Sequence, residues 1–532
     1  MNCTAQLRSK ETKTVGVVRA IVVGGSLTGL LAARVLGEYF SEVTIVERDK
    51  IPDEATPRPG VPHSRHVHGL LPRGLQIVEA FFPGIREELE SCGAVPLDIG
   101  NDIAWLTAQG WGLKFRSGFE ALSLTRDLLD WIVRRRVQRQ ANVKFVDATE
   151  VVGLLRDDNG RILGIRTRQR KLGEDGSPED IRADLAVIAT GRQNAIAKWF
   201  AEVGLEQPQV TTINAHIGYA SRIYRRSGDS SPDWKAIILH PTPPDTHRSG
   251  LMFPIEGSRW VVTLIGADRD YPPNDEAGFL EFAKSLRDPS LYNAVRKAAP
   301  LTAIFTYRAT ENRRNHFLQL ENWPEGLIVL GDAACAFNPV YAQGMSTAAI
   351  EAARLHSLLC DAGPRPQFGR QFQQDVARIV QSPWVLATSA DLRYRSVEGP
   401  PANRKTRVMH WYLDQVLRLG TTDEWVRRRF LEVQGMLRDG SAILKADMLF
   451  RVLSSLLRSW VLRQPTRESS WPSVSAPSSV DPSDSAGPLT DAGWNHVDHP
   501  DLASDVLSDP SIGTSKSPGL DFSQDTNDRK WT

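Results

Sequence analysis

Long apolar runs are missing from this chain of 532 residues, and so is an excess of charge of either sign. No stretch of about 18 uncharged apolar residues occurs, so a membrane-spanning helix is not expected. The chain has 64 Lys and Arg against 63 Asp and Glu, which leaves no general field to attract nucleic acid. The N-terminal segment up to Val15 lacks the apolar core of a secretory signal. We therefore predict a cytoplasmic protein with no nucleic-acid partner.

Cysteine is scarce as well. The four cysteines, which show no paired spacing, are Cys3, Cys92, Cys335 and Cys360. This pattern argues against a disulfide framework and fits a reducing compartment. Three histidines alternate at His63, His66 and His68, but zinc usually takes four ligands from spaced pairs, and no cysteine or carboxylate cluster accompanies them. We expect no metal site and interpret the three histidines as part of a polar loop.

A glycine-rich turn lies near the start of the chain. The apolar pattern predicts a buried strand over 19–24, a helix over 27–38 and a second, parallel strand over 43–47. The turn between the first strand and the helix reads Gly24-Gly25-Ser26-Leu27-Thr28-Gly29. This order of elements is typical of a dinucleotide site, in which the helix directs its free N–H groups at a diphosphate.

Individual residues of the turn have separate roles. Gly24 allows the sharp bend, and Gly29 allows the helix to pack closely on the strand. Ser26 replaces the middle glycine of the usual pattern. Glu47, which ends the second strand, can accept hydrogen bonds from ribose hydroxyls and disfavours a tightly held NADP. From this motif alone NAD and FAD both remain open, and an ordinary glycine turn is the alternative.

A second segment, more than 300 residues later, favours FAD. Gly331-Asp332 follows a predicted buried strand over 326–331, which suits a carboxylate that binds the ribityl chain of a flavin. Pro339 and Gly344 bracket a loop before a helix that starts near Met345, and the positive end of that helix can stabilise a reduced flavin. The alternative for Asp332 is a helix N-cap. Taken together, the two motifs predict non-covalently bound FAD.

The fold class expected is α/β. We predict a Rossmann-like FAD-binding domain with an inserted antiparallel β-sheet as substrate domain, followed by a C-terminal helical region. Long alternating strands are expected at 211–225, 235–240 and 259–266, a helix at 121–139, and a surface loop at 51–74. The predicted domain boundaries are 18–205 and 321–365 for the FAD-binding domain, 206–320 for the inserted sheet, 366–465 for the helices and 466–532 for a disordered tail.

These motifs resemble those of the single-component FAD-dependent monooxygenases, the group of aromatic hydroxylases and squalene epoxidase. More specific matches are similar to the flavin epoxidases of polyketide and polyether biosynthesis. They are Gly60-Val61-Pro62-His63-Ser64-Arg65-His66-Val67-His68, Leu124-Thr125-Arg126-Asp127-Leu128-Leu129-Asp130-Trp131, Ala336-Phe337-Asn338-Pro339-Val340-Tyr341 and Trp384-Val385-Leu386-Ala387-Thr388-Ser389. The resemblance covers about 18–395.

The resemblance implies further site residues. Arg126 would contact the diphosphate side of FAD, and Arg65 would lie near the flavin. NADPH or NADH would act as a transient reductant, because a second dinucleotide turn is absent. Hydroxylases of the group carry an Asp-Gly motif that helps bind the reductant, whereas this chain has Ala189-Thr190-Gly191-Arg192. How the reductant docks is therefore left open.

The expected substrate is an apolar small molecule that reacts with O2. The inserted sheet would close over the flavin, with Phe253 and Trp260 on its inner face and Tyr341 on the flavin side. The resemblance implies an enzyme, an epoxidase of polyketides or terpenoids in secondary metabolism. The alternatives are a hydroxylase, a flavin reductase that saturates a double bond, and a non-catalytic flavin-binding protein. A halogenase is disfavoured because a Trp-x-Trp-x-Ile-Pro motif is missing.

One helix near the end of the chain leaves a further alternative. Residues 447–463 predict an amphipathic helix with basic residues beside an apolar face. Such a helix could make peripheral contact with a membrane, which would make the protein membrane-associated. The alternative is a helix packed on its own domain.

Overall fold

The computed structural model describes residues 18–170, 176–192, 195–226, 233–363 and 366–462. The predicted disordered tail, 466–532, lies outside these residues. The strands in the described residues are β1 (Arg19–Val23), β2 (Glu42–Val46), β3 (Val95–Asp98), β4 (Ile103–Thr107), β5 (Gly110–Trp111), β6 (Glu120–Ser123), β7 (Val143–Val146), β8 (Thr149–Arg156), β9 (Ile162–Gln169), β10 (Glu179–Arg182), β11 (Leu185–Ile188), β12 (Val210–Ile213), β13 (Gly218–Arg225), β14 (Ala236–Leu239), β15 (Arg248–Ile255), β16 (Arg259–Gly266), β17 (Phe305–Tyr307), β18 (Asn312–Asn315), β19 (Leu327–Val329) and β20 (Cys335–Ala336).

The α-helices are α1 (Leu27–Leu36), α2 (Pro72–Phe81), α3 (Ile85–Ser91), α4 (Arg126–Gln138), α5 (Ile196–Glu202), α6 (Glu276–Lys284), α7 (Ser290–Val295), α8 (Gly344–Ala362), α9 (Phe368–Ile379), α10 (Gln381–Asp391), α11 (Arg404–Leu419), α12 (Glu424–Gln434) and α13 (Ala446–Leu462). Short 3-10 turns also occur, and two of them, Gly331–Ala333 and Pro339–Tyr341, lie in the second predicted motif.

A five-stranded parallel sheet forms the centre of the predicted FAD-binding domain. Its strand order is β19-β11-β1-β2-β7. Strands β1, β11 and β19 are almost continuous apolar runs because both faces of the sheet are covered by other elements. The polar residues that follow β1, β2 and β19 therefore meet at the carboxyl edge of the sheet, where such folds bind ligands.

A seven-stranded sheet corresponds to the predicted substrate domain, in the order β17-β13-β16-β15-β14-β4-β5. Its pairs are antiparallel except for β14 and β4, which run parallel. Two of its strands come from before residue 206, so the sheet is not made from 206–320 alone. One face packs on helices α6 and α7 through Phe279, Phe282 and Leu291.

Helices α11, α12 and α13 pack on one another around a separate small core. Val416, Val426 and Met448 are buried in it. Helix α13 buries Val452, whereas Phe450 and Leu457 on the same helix are 71% and 63% exposed. Among the described residues no helix is long and apolar enough to cross a membrane. The alternative of peripheral membrane contact is not supported by the described part of this helix.

Three local predictions need correction. The strand expected at 211–225 is divided into β12 and β13, because His216 adopts a positive φ of 48° and the Asn214 backbone pairs with that of Glu398. The helix expected at 121–139 starts only at Arg126, after strand β6 and the N-cap Thr125. The loop at 51–74 does not stay on the surface throughout, since it buries Arg58 beside Glu47 and His66 beside Ser221.

Candidate active site

A cavity of about 660 Å³ lies at the carboxyl edge of the parallel sheet, and we call it the edge cavity. Both predicted motifs contribute to its wall although they are far apart in sequence. The predicted site residues that line it are Gly24, Ser26, Glu47, Arg126, Asp332, Pro339, Gly344 and Met345. Gly25 and Gly29 do not line the cavity, but they belong to the same glycine turn as Gly24 and Ser26.

The glycine turn has no room for side chains at two positions. Gly24 has a φ of 111°, and a Cβ atom there would lie 2.4 Å from the Ala189 carbonyl oxygen. A Cβ atom on Gly29 would lie 1.8 Å from the Gly24 carbonyl oxygen. Ser26 precedes helix α1 in an extended conformation, so the free N–H groups of the first helical turn face the edge cavity.

Glu47 is buried and held by three groups. Its carboxylate accepts hydrogen bonds from the Gly25 N–H at 2.7 Å and the Asp49 N–H at 3.0 Å. The Arg58 guanidinium lies 3.2 Å from it. The ion pair with Arg58 was not foreseen, because the loop that carries Arg58 was expected on the surface. It fixes the carboxylate in the wall of the edge cavity.

A buried ion pair also holds Arg126. Its Nε donates to Asp130 at 2.6 Å, and its Nη2 donates to the Ser26 hydroxyl at 2.8 Å. The Ser26 hydroxyl in turn donates to Asp130 at 3.0 Å. Asp130 lies four residues after Arg126 on helix α4, a spacing that could have revealed the pair. The guanidinium is thereby set beside the N-terminus of helix α1, where a diphosphate is expected.

Asp332 is enclosed by protein, and this burial raises the pKa of its carboxyl group against the opposing effect of Arg192, Arg126 and Arg313. No described residue donates a hydrogen bond to its carboxylate. It stands inside a 3-10 turn, and its side chain does not cap a helix. The Gly331 N–H before it donates at 2.6 Å to Glu351, a buried acid whose pKa burial raises to about 8.

A second cavity of about 330 Å³ adjoins the first, and we call it the apolar cavity. Most of its lining is apolar, including Leu97, Ile103, Trp105, Leu251 and Phe430. The two cavities share the segment 67–69 and the residues Pro339, Ala342 and Gln343. A ligand in one cavity would therefore lie next to a ligand in the other.

The loop 338–343 separates the two cavities and is anchored by Asp391 of helix α10. The Asp391 carboxylate accepts hydrogen bonds from Tyr341 Oη at 2.7 Å, Asn312 Nδ2 at 2.6 Å and Asn338 Nδ2 at 3.1 Å. Burial raises the pKa of Asp391 to about 6. This anchor could not be foreseen, because no local pattern in the sequence links residue 391 with the loop.

Three observations test whether the edge cavity fits FAD. The cavity joins a helix N-terminus, a strand-end carboxylate at Glu47 and a second, partly buried carboxylate at Asp332. A carboxylate without protein donors in the wall of a cavity is suited to accept hydrogen bonds from a ligand, which ribityl hydroxyls would supply. The Thr190 hydroxyl, also in the lining, is buried and has no hydrogen-bond partner among the described residues. The residues present fit the cofactor.

Comparison with known families agrees with this fit, since residues 17–362 match the family described as FAD binding domain. The chain belongs to this family. Flavin enzymes of the family typically take their electrons from NAD(P)H. This FAD-binding chain is therefore an FAD-dependent oxidoreductase of the monooxygenase and hydroxylase type.

Similar proteins are known in sequence and in structure. Protein Rv3254 of Mycobacterium tuberculosis is 28% identical over 459 residues, which cover 84% of this chain and 96% of that protein. PqsL, a probable FAD-dependent monooxygenase from Pseudomonas aeruginosa, superposes with a TM-score of 0.52 at 17% identity, covering 71% of this chain and 97% of PqsL. The flavin-dependent halogenase CmlS gives a TM-score of 0.56 at 15% identity, covering 84% and 78% of the two chains. The structural likenesses show the shared fold.

Two predicted site residues of this FAD-binding chain lie elsewhere. Arg65 is exposed and stacks on Phe305 at 4.3 Å from the ring centroid, outside both cavities. Trp260 is buried in the core between the seven-stranded sheet and helices α6 and α7. Its strand is buried on both faces and does not alternate, and the face that carries Trp260 packs on the helices, away from the cavities. Phe253 and Tyr341 do line the apolar cavity.

The three histidines of the 51–74 loop are neutral groups near the junction of the cavities. His63 and His68 line the edge cavity, and burial lowers the pKa of His68 to about 4. Burial likewise lowers the pKa of His66 to about 3, and its Nδ1 lies 2.7 Å from the Ser221 hydroxyl. No group of three or more metal-ligating side chains occurs in the described part of the chain.

Proposed function

We propose that this enzyme uses NAD(P)H and O2 to epoxidise an alkene of an apolar polyketide or terpenoid natural product. The observation that carries the proposal is the apolar cavity, which opens onto the FAD-binding edge cavity at 67–69 and 339–343. The proposed FAD contacts are those of Glu47, Arg126 and Asp332. We also propose that the FAD-binding domain comprises 18–205 and 321–365, apart from strands β4 and β5, which belong to the seven-stranded sheet.

The lining of the apolar cavity favours an uncharged substrate. Leu, Ile, Trp and Phe side chains form most of the wall, and burial of an apolar ligand against them is favourable by about 25 cal/mol per Å². Arg393 contributes a cation to the wall, but it is paired with Asp414 at 2.9 Å. A charged aromatic acid would therefore gain less from this cavity than a polyene.

The loop 338–343 has the main positioning role in the proposal. Its residues Pro339, Ala342 and Gln343 face both cavities, so the loop sets the distance between cofactor and substrate. Helix α8 begins at Gly344, and its N-terminus stabilises negative charge that develops nearby. Bound FAD supplies the oxygen chemistry, whereas the apolar walls exclude water from the reacting alkene.

The other flavin chemistries predict different products. A hydroxylase would give an alcohol or phenol, and a flavin reductase would saturate the double bond without consuming oxygen. A protein that only binds flavin would not be reduced by NAD(P)H. Halogenases share the fold, but a halogenase is disfavoured because the chain lacks the Trp-x-Trp-x-Ile-Pro motif.

The test is a product analysis with the FAD-loaded enzyme, NADPH or NADH, and a set of polyenes and prenylated compounds. We expect oxygen uptake that depends on the alkene, and an epoxide identified by mass and NMR spectra. Phe253→Asp, which places a charge in the apolar cavity, should abolish product while leaving bound FAD in place. A saturated product, or an absence of flavin reduction, would contradict the proposal.

A further inference from the structure

The side chain of His240 lines the apolar cavity, and its ring has no hydrogen-bond partner among the residues that the structure describes. His240 follows strand β14 and lines this cavity but not the edge cavity. Its backbone is well bonded, since its N–H donates to the Leu106 carbonyl at 2.9 Å and its carbonyl accepts from Arg287 at 3.0 Å. Within the described residues, no group hydrogen-bonds either nitrogen of its imidazole ring.

The two ring nitrogens remain accessible rather than sealed in the core. The side chain is partly buried, and neither nitrogen belongs to the fully enclosed polar atoms that lack a partner. The ring lies 5.9 Å from the Trp105 ring, centroid to centroid, in the cavity wall. His66, by contrast, has its Nδ1 within 2.7 Å of a protein hydroxyl. A histidine that faces an apolar cavity without a partner is suited to bind a polar group of the ligand.

The charge state of the ring restricts the ligand. Burial, together with the charge of the nearby Arg287 guanidinium, lowers the pKa of His240 from 6.5 to about 4. Arg287 itself donates to the Thr107 and His240 carbonyls, so its donors are directed at the backbone. The imidazole is therefore a neutral donor and acceptor, which matches a hydroxyl or a carbonyl group.

We propose that His240 binds a neutral oxygen function, a hydroxyl or carbonyl, of the substrate. This inference rests on the proposed function, because it takes the apolar cavity as the substrate site. It narrows the substrate class from an apolar alkene to an oxygenated one. The oxygen function would lie away from the flavin, since His240 does not reach the edge cavity.

The test uses three probes that share one carbon skeleton: farnesol, farnesene and farnesoic acid. Equilibrium dialysis with the full-length, FAD-loaded protein gives the affinity for each probe. We expect farnesol to bind about three- to tenfold more tightly than farnesene, the range of one net hydrogen bond. His240→Phe keeps a ring beside Trp105 and should remove this preference without weakening farnesene. The control is His356→Phe, a helix α8 residue that lines neither cavity.

Four outcomes overturn parts of the account in different ways. Equal binding of farnesol and farnesene by the native protein would refute the role of His240 but leave the apolar substrate class intact. A preference that survives in His240→Phe would refute it as well. Tighter binding of ionised farnesoic acid that depends on His240 would contradict a neutral ligand. Binding of none of the three probes would contradict the proposed function and the inference that rests on it.

Discussion

At the scale of single residues, the edge cavity depends on buried charges that neutralise one another. Glu47 pairs with Arg58, whose guanidinium also lies 3.5 Å from Asp130. Asp130 in turn holds Arg126. Removing one member of such a set leaves another charge buried and unpaired. This change destabilises the folded state by more than the ion pair itself stabilises it. Asp332 differs from these residues, since no described residue hydrogen-bonds it.

Asp332 therefore gives the cleanest residue-scale test of FAD binding. Asp332→Ala should weaken FAD binding by roughly tenfold or more, because a charged acceptor contributes about 1.5–3 kcal/mol per hydrogen bond. The fold should survive, since no described hydrogen bond to Asp332 is lost. Titration of the apoprotein with FAD, followed by protein fluorescence, measures the change. Asp158→Ala, on an exposed turn, is the control, and normal affinity of Asp332→Ala would show that our placement of the cofactor is wrong.

Glu351 gives a pH-dependent prediction. Its pKa is raised from 4.5 to about 8. Between pH 4.5 and about 8, the folded state therefore holds a proton that the unfolded state has released. The contribution of Glu351 to the free energy of unfolding therefore falls by about 1.4 kcal/mol per pH unit as the pH rises through this range. Above the range it is constant. Glu351→Gln removes this loss but keeps an acceptor for the Gly331 N–H. The unfolding free energy of the variant minus that of the native protein should therefore increase from pH 6 to 8 in urea titrations.

A gap that stays constant across this range would contradict the raised pKa of Glu351. Comparison of the two proteins cancels the contributions to stability of the other groups that titrate in the same pH range. The measurement should use the FAD-free proteins, so that pH effects on cofactor binding do not enter.

Glu47 and Asp332 could be predicted from sequence, because each follows an apolar strand at a position that the fold brings to the carboxyl edge. Arg58 and Asp391 could not, since their partners are distant in sequence. Trp260 was misplaced for another reason. Alternation along a strand identifies two faces but not which face meets the cavity.

At the scale of elements, the loop 338–343 is the part that joins cofactor and substrate sites. It has little regular structure, and its position depends on hydrogen bonds to Asp391 from Tyr341, Asn338 and the strand residue Asn312. Asn338 also accepts a hydrogen bond from Tyr219 Oη at 3.1 Å. The loop is thus held by helix α10, strand β18 and strand β13 together.

Loss of the Asp391 anchor should loosen this loop. Asp391→Ala leaves three donors without an acceptor, and each of the two buried ones, on Asn312 and Asn338, destabilises the fold by about 1–3 kcal/mol. We expect FAD to be released at a lower urea concentration than from the native enzyme, as measured by flavin fluorescence. Tyr341→Phe removes one hydrogen bond and should have a clearly smaller effect. Equal effects of the two substitutions would contradict the role of Asp391 as the shared anchor.

The sequence predicted the regular elements better than the connections. Strands β1 and β19 of the parallel sheet are almost continuous apolar runs, so they could be recognised as strands from the sequence. The segment 51–74 was misjudged because Pro, Gly and charged residues are typical of surface loops. One of its charges, Arg58, is instead buried in ion pairs with Glu47 and Asp130, and such pairs leave no local pattern.

At the scale of the whole molecule, two cavities of different character meet at one junction. The edge cavity is lined by residues between 23 and 345, and the apolar cavity by residues between 67 and 435. The apolar cavity draws on the seven-stranded sheet, on the loop 338–343 and on helices α10, α11 and α12. This division matches a reaction in which one cavity holds the reagent and the other selects the substrate.

The lining of the cavities implies that the last part of the chain is dispensable for chemistry. A chain that ends after Gln464 keeps all residues of both linings. We expect it to retain stoichiometric FAD and the NAD(P)H oxidase rate of the full chain. Absorbance of the purified protein and the rate of NAD(P)H loss measure these properties. Loss of FAD on shortening would show that residues beyond 464 contribute to the cofactor site.

Transfer of one oxygen atom from O2 to an alkene is the central claim, and labelled oxygen gas tests it most directly. The FAD-loaded enzyme is incubated with NAD(P)H and an oxygenated polyene such as farnesol under labelled O2, and the product mass is recorded. The account predicts one labelled atom per product molecule, present as an epoxide, with none derived from water. An unlabelled product, or a saturated one, would contradict it.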